Sequence, residues 1–440
     1  VLRKPGARSA QPTGEFTLKL RDWRGRWSDR VVAFFSLLIP LFVVVGAKDT
    51  FRIPKDALFR AEAIVLVALY VASAIVRPPR HWQIEWRRPQ MALPLLIVAW
   101  TAITTLTSTN RARSIDSLVT VCAAVVIYFA TIAFARRRGF KTLFFILIPA
   151  LINAILGALQ ELWIWQPFRA PEGVTHHQRS TALIGNPNDA GGYLAAVALA
   201  AVAAAMATRQ YRRAFTAAAV ALTIGLLFNQ TLTALIAFGM AALVMAAVRS
   251  RRKAIFGALA ATVVIVVATA TFPPLRQRAV HMRDWLRRGN YNAMLTNRGT
   301  PFVAASLMAR DHPIAGVGPG CFAWQYFPYK LRAEMRFPSL RKAFNRGGNF
   351  GEVHNDHLQV LAETGAVGYL LFLAAIAAVA WMPAQRASSG GDRREFTRIL
   401  ALPLAIEFCL LALAQFPLEL TAVMSQFIFL AALCAAWIDG

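Results

Sequence analysis

The chain has 440 residues, 57% of them hydrophobic and only 16% charged, yet its formal net charge is +26. A soluble chain of this length divides into domains with charged surfaces. Here the apolar residues gather instead into runs of about 18 to 24, each long enough to cross a bilayer. The basic residues sit in short segments between those runs, which argues against a nucleic-acid partner. Four scattered cysteines, with no CxxC or Cys/His pattern, argue against a disulfide scaffold or a zinc module.

Taken in order, the first thirty residues are basic and polar and lack the short apolar core and small-residue site of a cleavable signal. The first apolar run therefore reads as an uncleaved signal-anchor. Twelve spans are expected, near 31–47, 58–76, 91–108, 115–135, 141–164, 189–208, 214–228, 231–248, 254–272, 358–383, 396–414 and 420–438. The reading is an all-α polytopic membrane protein with about twelve transmembrane helices. It divides into a basic N-terminal segment (1–30), spans one to nine (31–272), one large loop (273–357) and spans ten to twelve (358–440).

Orientation follows from the Lys/Arg bias. With the N-terminus inside, the inside segments carry 27 basic residues and the short outside segments 8, among them Lys48, Arg52, Lys55, Arg60 and Arg179. Both termini are then cytoplasmic and the large loop external. That loop holds the remaining 13 of the 48 basic residues, against five acidic ones. Its pieces Leu275–Arg288 and Tyr329–Phe344 mix Arg and Lys with Trp, Phe, Leu and Met, as short interfacial helices do. They suit anionic headgroups or a phosphorylated glycolipid. Within the loop, Gly316-Val317-Gly318-Pro319-Gly320 reads as a turn in preference to a phosphate cradle.

Two external stretches carry the candidate chemistry. One is Arg179-Ser180-Thr181-Ala182-Leu183, followed by the turn Asn186-Pro187-Asn188. The other, at the mouth of the tenth span, runs from His354-Asn355-Asp356-His357 through Glu363 to Gly365 and Gly368. A His-Asn pair can simply cap a helix. A histidine of near-neutral pKa at a membrane surface can also take a proton from a hydroxyl. His354 and His357, three residues apart with Glu352 and Asp356 nearby, have the spacing of a metal pair, but the strongly basic loop argues against one. Glu363 and Glu407 fall inside spans, which keeps a polyprenyl-lipid or solute transporter as the non-enzymatic alternative. No Walker A sequence occurs in a plausible context, so a transferase here needs an already activated donor. Such an enzyme needs a base for the acceptor and fixed positive charge for the departing diphosphate, for which arginine is best suited.

His354-Asn355, nine residues, Gly365, two residues and Gly368 together resemble the signature of the O-antigen ligase family, which shares its architecture with O-antigen polymerases and bacterial protein O-oligosaccharyltransferases. Arg179 through Leu183 fits the family's R-x3-L element. The stretch from Asn297-Arg298-Gly299 to His312-Pro313-Ile314-Ala315-Gly316-Val317-Gly318 resembles the start of its periplasmic loop. The resemblance implies a GT-C-like enzyme of the bacterial inner membrane with its active site in the periplasm. It implies transfer of O-polysaccharide from undecaprenyl diphosphate to a sugar hydroxyl of lipid A–core, inverting and without metal or other cofactor. His354 would be the catalytic base. Arg179 and Arg298 would hold the diphosphate, and Asn355, His357, Asn186 and Asn188 would complete the substrate site. The single, very basic loop favours a ligase over a polymerase or a protein-directed transferase.

Overall fold

The computed structural model describes residues 14–76, 88–167, 180–250, 252, 255, 273–289, 292, 295–296, 298–341, 350–382 and 391–438. Every regular element among them is helical. In chain order these are α1 (Gly14–Leu38), α2 (Arg52–Val76), α3 (Pro89–Leu106), α4 (Arg111–Arg138), α5 (Phe144–Glu161), α6 (Pro187–Ala207), α7 (Arg212–Asn229) and α8 (Leu232–Arg249). Then come α9 (Pro273–Arg287), α10 (Gly299–Asp311), α11 (Phe322–Arg336), the single turn α12 (Pro338–Arg341), α13 (Asp356–Trp381), α14 (Asp392–Ala414) and α15 (Thr421–Ala436).

Seven helical stretches among the described residues are long and apolar enough to cross a membrane. One of them, the 51-residue run Arg111–Glu161, contains both α4 and α5 joined by a short 3-10 stretch. The expected ninth span, 254–272, lies outside the described residues apart from Ile255. The first helix starts inside the basic N-terminal segment and gives way after Leu38 to a 3-10 turn carrying Pro40, which cannot continue the α-helical ladder.

The bundle is organised around α6. Asn186 caps it by accepting a hydrogen bond from the Asn188 amide at 2.8 Å, and Pro187 occupies its first turn. Its Ala- and Gly-rich sequence brings neighbouring backbones close, so most of the helix is buried among α5, α7, α8, α14 and α15. A second, separate apolar core lies beyond the spans. There α10 and α11 pack through Met308, Phe322 and Tyr326 against Val353, just before α13, and Ala362 in its second turn. Full burial of a side chain such as Phe322 contributes roughly 1.5–3 kcal/mol. Helices α10 and α11 thus form a cap seated on the start of α13.

Candidate active site

The first two turns of α13 carry the site, and one residue sets their shape. Gly365 has φ 68° and ψ −171°, so the helix breaks there and folds back. As a result His357 lies edge-on to Tyr369 and Phe372, with ring centroids 6.0 and 5.4 Å away. In a straight helix residues twelve and fifteen positions apart are separated by about 18 and 22 Å.

The bend is locked from outside by the turn that the sequence placed at Gly316–Gly320. Val317 and Gly318 amides donate to the Ala362 and Glu363 carbonyls at 2.9 and 3.0 Å, and the Ala366 amide donates to the Pro313 carbonyl at 2.8 Å. Backbone meets backbone here. A Cβ on Gly316 would stand 2.3 Å from the Glu363 carbonyl carbon, and one on Gly365 would stand 2.1 Å from the Ile314 oxygen. The turn spends its Val317, Gly318 and Gly320 amides on acceptors of the protein itself. Its Gly320 amide and that of Phe322, at the start of α11, donate to the Glu363 carboxylate at 2.8 and 3.0 Å. Glu363 is therefore the cap of a helix N-terminus.

His354 sits in the loop before α13, with its backbone in the left-handed region at φ 59°. The residues around it are tied down. The Val353 amide donates to Gln359 Oε1 at 3.0 Å, and Gln359 Nε2 donates to Glu419 Oε1 at 2.8 Å. Asn355 accepts from the Leu358 amide and donates to the Leu413 carbonyl, both at 3.0 Å, and the Leu418 amide donates to Asp356 at 2.9 Å. The imidazole stands edge-on between Phe416 and Phe350, at 4.6 and 5.6 Å, and its Nδ1 is buried without a hydrogen-bond partner.

Two arginines face this ring. Arg298 precedes α10 and donates to the Ala414 carbonyl at 2.6 Å, at the negative end of α14; its burial lowers its pKa below the usual arginine range. Arg52, at the start of α2, lies over Phe416 at 5.5 Å, pairs with Glu352 at 2.8 Å and donates to the Glu419 carbonyl at 3.1 Å. Burial, then the charge of Arg298, then that of Arg52 push the His354 pKa down to about 4. Near pH 7 the ring is neutral and has a lone pair to offer a proton.

The structure thus brings together Arg298, His354 and Asn355 at the end of α14, and adds Arg52, which the sequence reading did not select. Asn186 and Asn188 stand at the start of α6, whose Asp189 carboxylate acts on the Arg52 charge. Arg179 lies outside the described residues. Its neighbour Ser180 is held where Asn229 Nδ2 donates to the Ser180 and Pro187 carbonyls at 3.2 and 2.9 Å. His357 belongs to other surroundings: its Nδ1 is 3.3 Å from the Tyr369 hydroxyl, and its ring packs on the far limb of the bend. The two histidines do not converge, as a metal pair would have to. Glu407, the other carboxylate flagged by the sequence, is fully buried in α14 with both oxygens unpartnered.

Beneath Leu418 and Glu419, α2, α3, α4, α13, α14 and α15 enclose a cavity of about 530 Å³, walled by Ile97, Val125, Phe372, Phe408 and Phe427. The short turn Pro417–Glu419 separates it from the His354 pocket.

The O-antigen ligase family matches residues 217–373, from within α7 through the bend of α13. The matched segment contains Arg298, His354, Gly365 and Gly368; Arg52 and Arg179 precede it. No curated protein matches the chain at a significant level.

Proposed function

We propose, from the premise that residues 217–373 carry the O-antigen ligase match, that this multi-pass membrane protein is an O-antigen ligase. In this reading it transfers O-polysaccharide from undecaprenyl diphosphate to a sugar hydroxyl of lipid A–core, on the periplasmic face of a bacterial inner membrane. The observation that carries the reading is the His354 imidazole, in the loop leading into α13, with the half-buried Arg298 and Arg52 guanidiniums acting on it.

His354 takes the acceptor hydroxyl proton as the oxygen attacks the anomeric carbon from the face opposite the diphosphate. The anomeric C–O bond breaks, its electron pair stays on the phosphate oxygen, and the configuration inverts. Arg298 and Arg52, with Arg179, hold the charge that develops on the leaving group. The bound diphosphate offsets the two arginine charges and raises the basicity of His354 when the proton must move. Asn355 fixes the loop that aims the ring, and Asn186 and Asn188 present the start of α6 to the donor. The apolar cavity beside Glu419 takes the proximal isoprene units of the donor chain.

The test is transfer in proteoliposomes without ATP and with EDTA, using undecaprenyl-diphosphate-linked polysaccharide and purified lipid A–core. Polysaccharide on lipid A–core with wild type, and none with His354→Ala, supports the ligase. Longer donor glycan with no labelled acceptor makes the chain a polymerase, and glycan on a protein Ser or Thr makes it a protein O-oligosaccharyltransferase. Glycan crossing the bilayer without changing carrier overturns the enzyme reading.

A further inference from the structure

One helix of the cap is apolar on two opposite faces. In α11, Phe322, Tyr326, Tyr329 and Ala333 are buried in the small core described above. Trp324, Phe327, Leu331 and Met335 repeat a similar three- and four-residue spacing, yet they are 61%, 56%, 45% and 66% exposed. At about 100° per residue the two sets lie roughly half a turn apart. Polar residues run along the edges between them: Lys330 and Glu334 on one side, Gln325, Arg332 and Arg336 on the other. A helix with one face in protein and the other in water would turn those polar residues outward. A second bare apolar face needs a second apolar phase.

The position of α11 says which phase that is. Its first turn is pinned by Glu363 at the bend of α13 and by the Gly316–Gly320 turn. That turn is bonded in its own right to the connection between α3 and α4. The Thr109 amide donates to the Val317 carbonyl at 3.1 Å, and Ser114 Oγ donates to the Pro319 carbonyl at 2.8 Å. The helix thus begins at the level where α3 ends. There Ile103 and Leu106 are 51% and 69% exposed on a helix long and apolar enough to span, and Ile314 in the adjoining turn is 67% exposed. The bare face of α11 and the bare end of α3 thus adjoin one and the same turn.

We propose that α11 lies half-submerged in the outer leaflet, with Trp324, Phe327, Leu331 and Met335 among the acyl chains and its basic edge at the level of the lipid phosphates. The occupant of this face is the bilayer itself. Because Glu363 ties α11 to the helix that His354 leads into, the seat sets the height of the His354 pocket above the leaflet. The inference rests on the membrane-spanning reading and is independent of glycosyl transfer.

The experiment places a benzophenone amino acid at Phe327 or Leu331 of the full-length protein in phosphatidylethanolamine/phosphatidylglycerol nanodiscs, with illumination followed by intact-protein mass spectrometry. Leu106 on α3 is the lipid-facing control, and exposed Ser306 on α10 the aqueous one. The expected result is one-phospholipid adducts at 327 and 331, with yields near that of Leu106 and on the order of tenfold above Ser306. Yields at the Ser306 level, or cross-links to another polypeptide in place of lipid, would overturn the proposal. All probed side chains are exposed, so folding of the variants is not at issue, and failure of the transfer reaction leaves this readout untouched.

Discussion

The two ends of α14 hold arginines in opposite ways. Around its N-terminal end the guanidiniums are half exposed and matched with carboxylates: Arg137 and Arg138 on Asp29 at 2.6 and 2.9 Å, Arg249 and Arg398 on Glu395 at 3.0 and 2.6 Å. Roughly 34 Å away along the helix, Arg52 is still matched with Glu352 at 2.8 Å, but the half-buried Arg298 is bonded to a backbone carbonyl, with the His354 imidazole in its field. The half-exposed pairs on Glu395 contribute little, about 0–1 kcal/mol each, while the two arginines on Asp29 compensate a buried carboxylate. A buried guanidinium bonded to a neutral carbonyl has paid desolvation without a counter-charge, and such a site is ready for an anion. The same residue type is matched with carboxylates at one end and, in Arg298, left to a neutral carbonyl at the other.

That contrast can be broken by substitution. His354→Ala should cause the largest loss, about 10²–10⁴-fold in turnover, the usual contribution of a general base, with thermal stability unchanged. It is read by transfer assay and by a melting curve. Arg298→Ala should lower kcat/KM by about 10²–10³-fold, as loss of one preorganised charge donor does, and Arg52→Ala should act in the same direction. Gly365→Ala should act on folding first. Its backbone angle and the 2.1 Å approach to the Ile314 oxygen leave no room for a Cβ, and about 1–3 kcal/mol or more of stability should be lost, visible as a lower melting temperature in detergent. Arg249→Ala, at the other end, should change stability by less than about 1 kcal/mol and leave transfer intact. A large effect there would erase the distinction between the ends.

Much of this architecture is written in local sequence, and its limits are physical. Apolar runs announce membrane helices because backbone groups in lipid must be satisfied within the segment. Gly316–Gly320 reads as a turn because glycine tolerates positive φ, and it is one. The run 358–383, however, reads as one straight span, since apolar length carries no information about a break at Gly365. His354 and His357 have helical spacing, but His354 precedes the helix with φ 59°, so the spacing does not put them on one face. Glu363 looks like an intramembrane ionisable group until the loop it caps is in place. Arg52 gives no local sign at all. It is one of several basic residues between the first two spans, and only the tertiary fold sets it 300 positions from its partner Glu352.

The most direct test of the central claim is the pH dependence of kcat/KM for the wild type and for Arg298→Ala. A base must be deprotonated to act. The free-enzyme profile should therefore rise through an apparent pKa near 4 and stay level toward neutrality, well below the usual histidine value of 6.5. Removing the Arg298 charge stabilises the imidazolium, so in the variant the rising limb should move up toward 6.5, on a lower plateau. A limb that does not move, together with near-normal transfer by His354→Ala, would contradict the account and take the base away from His354.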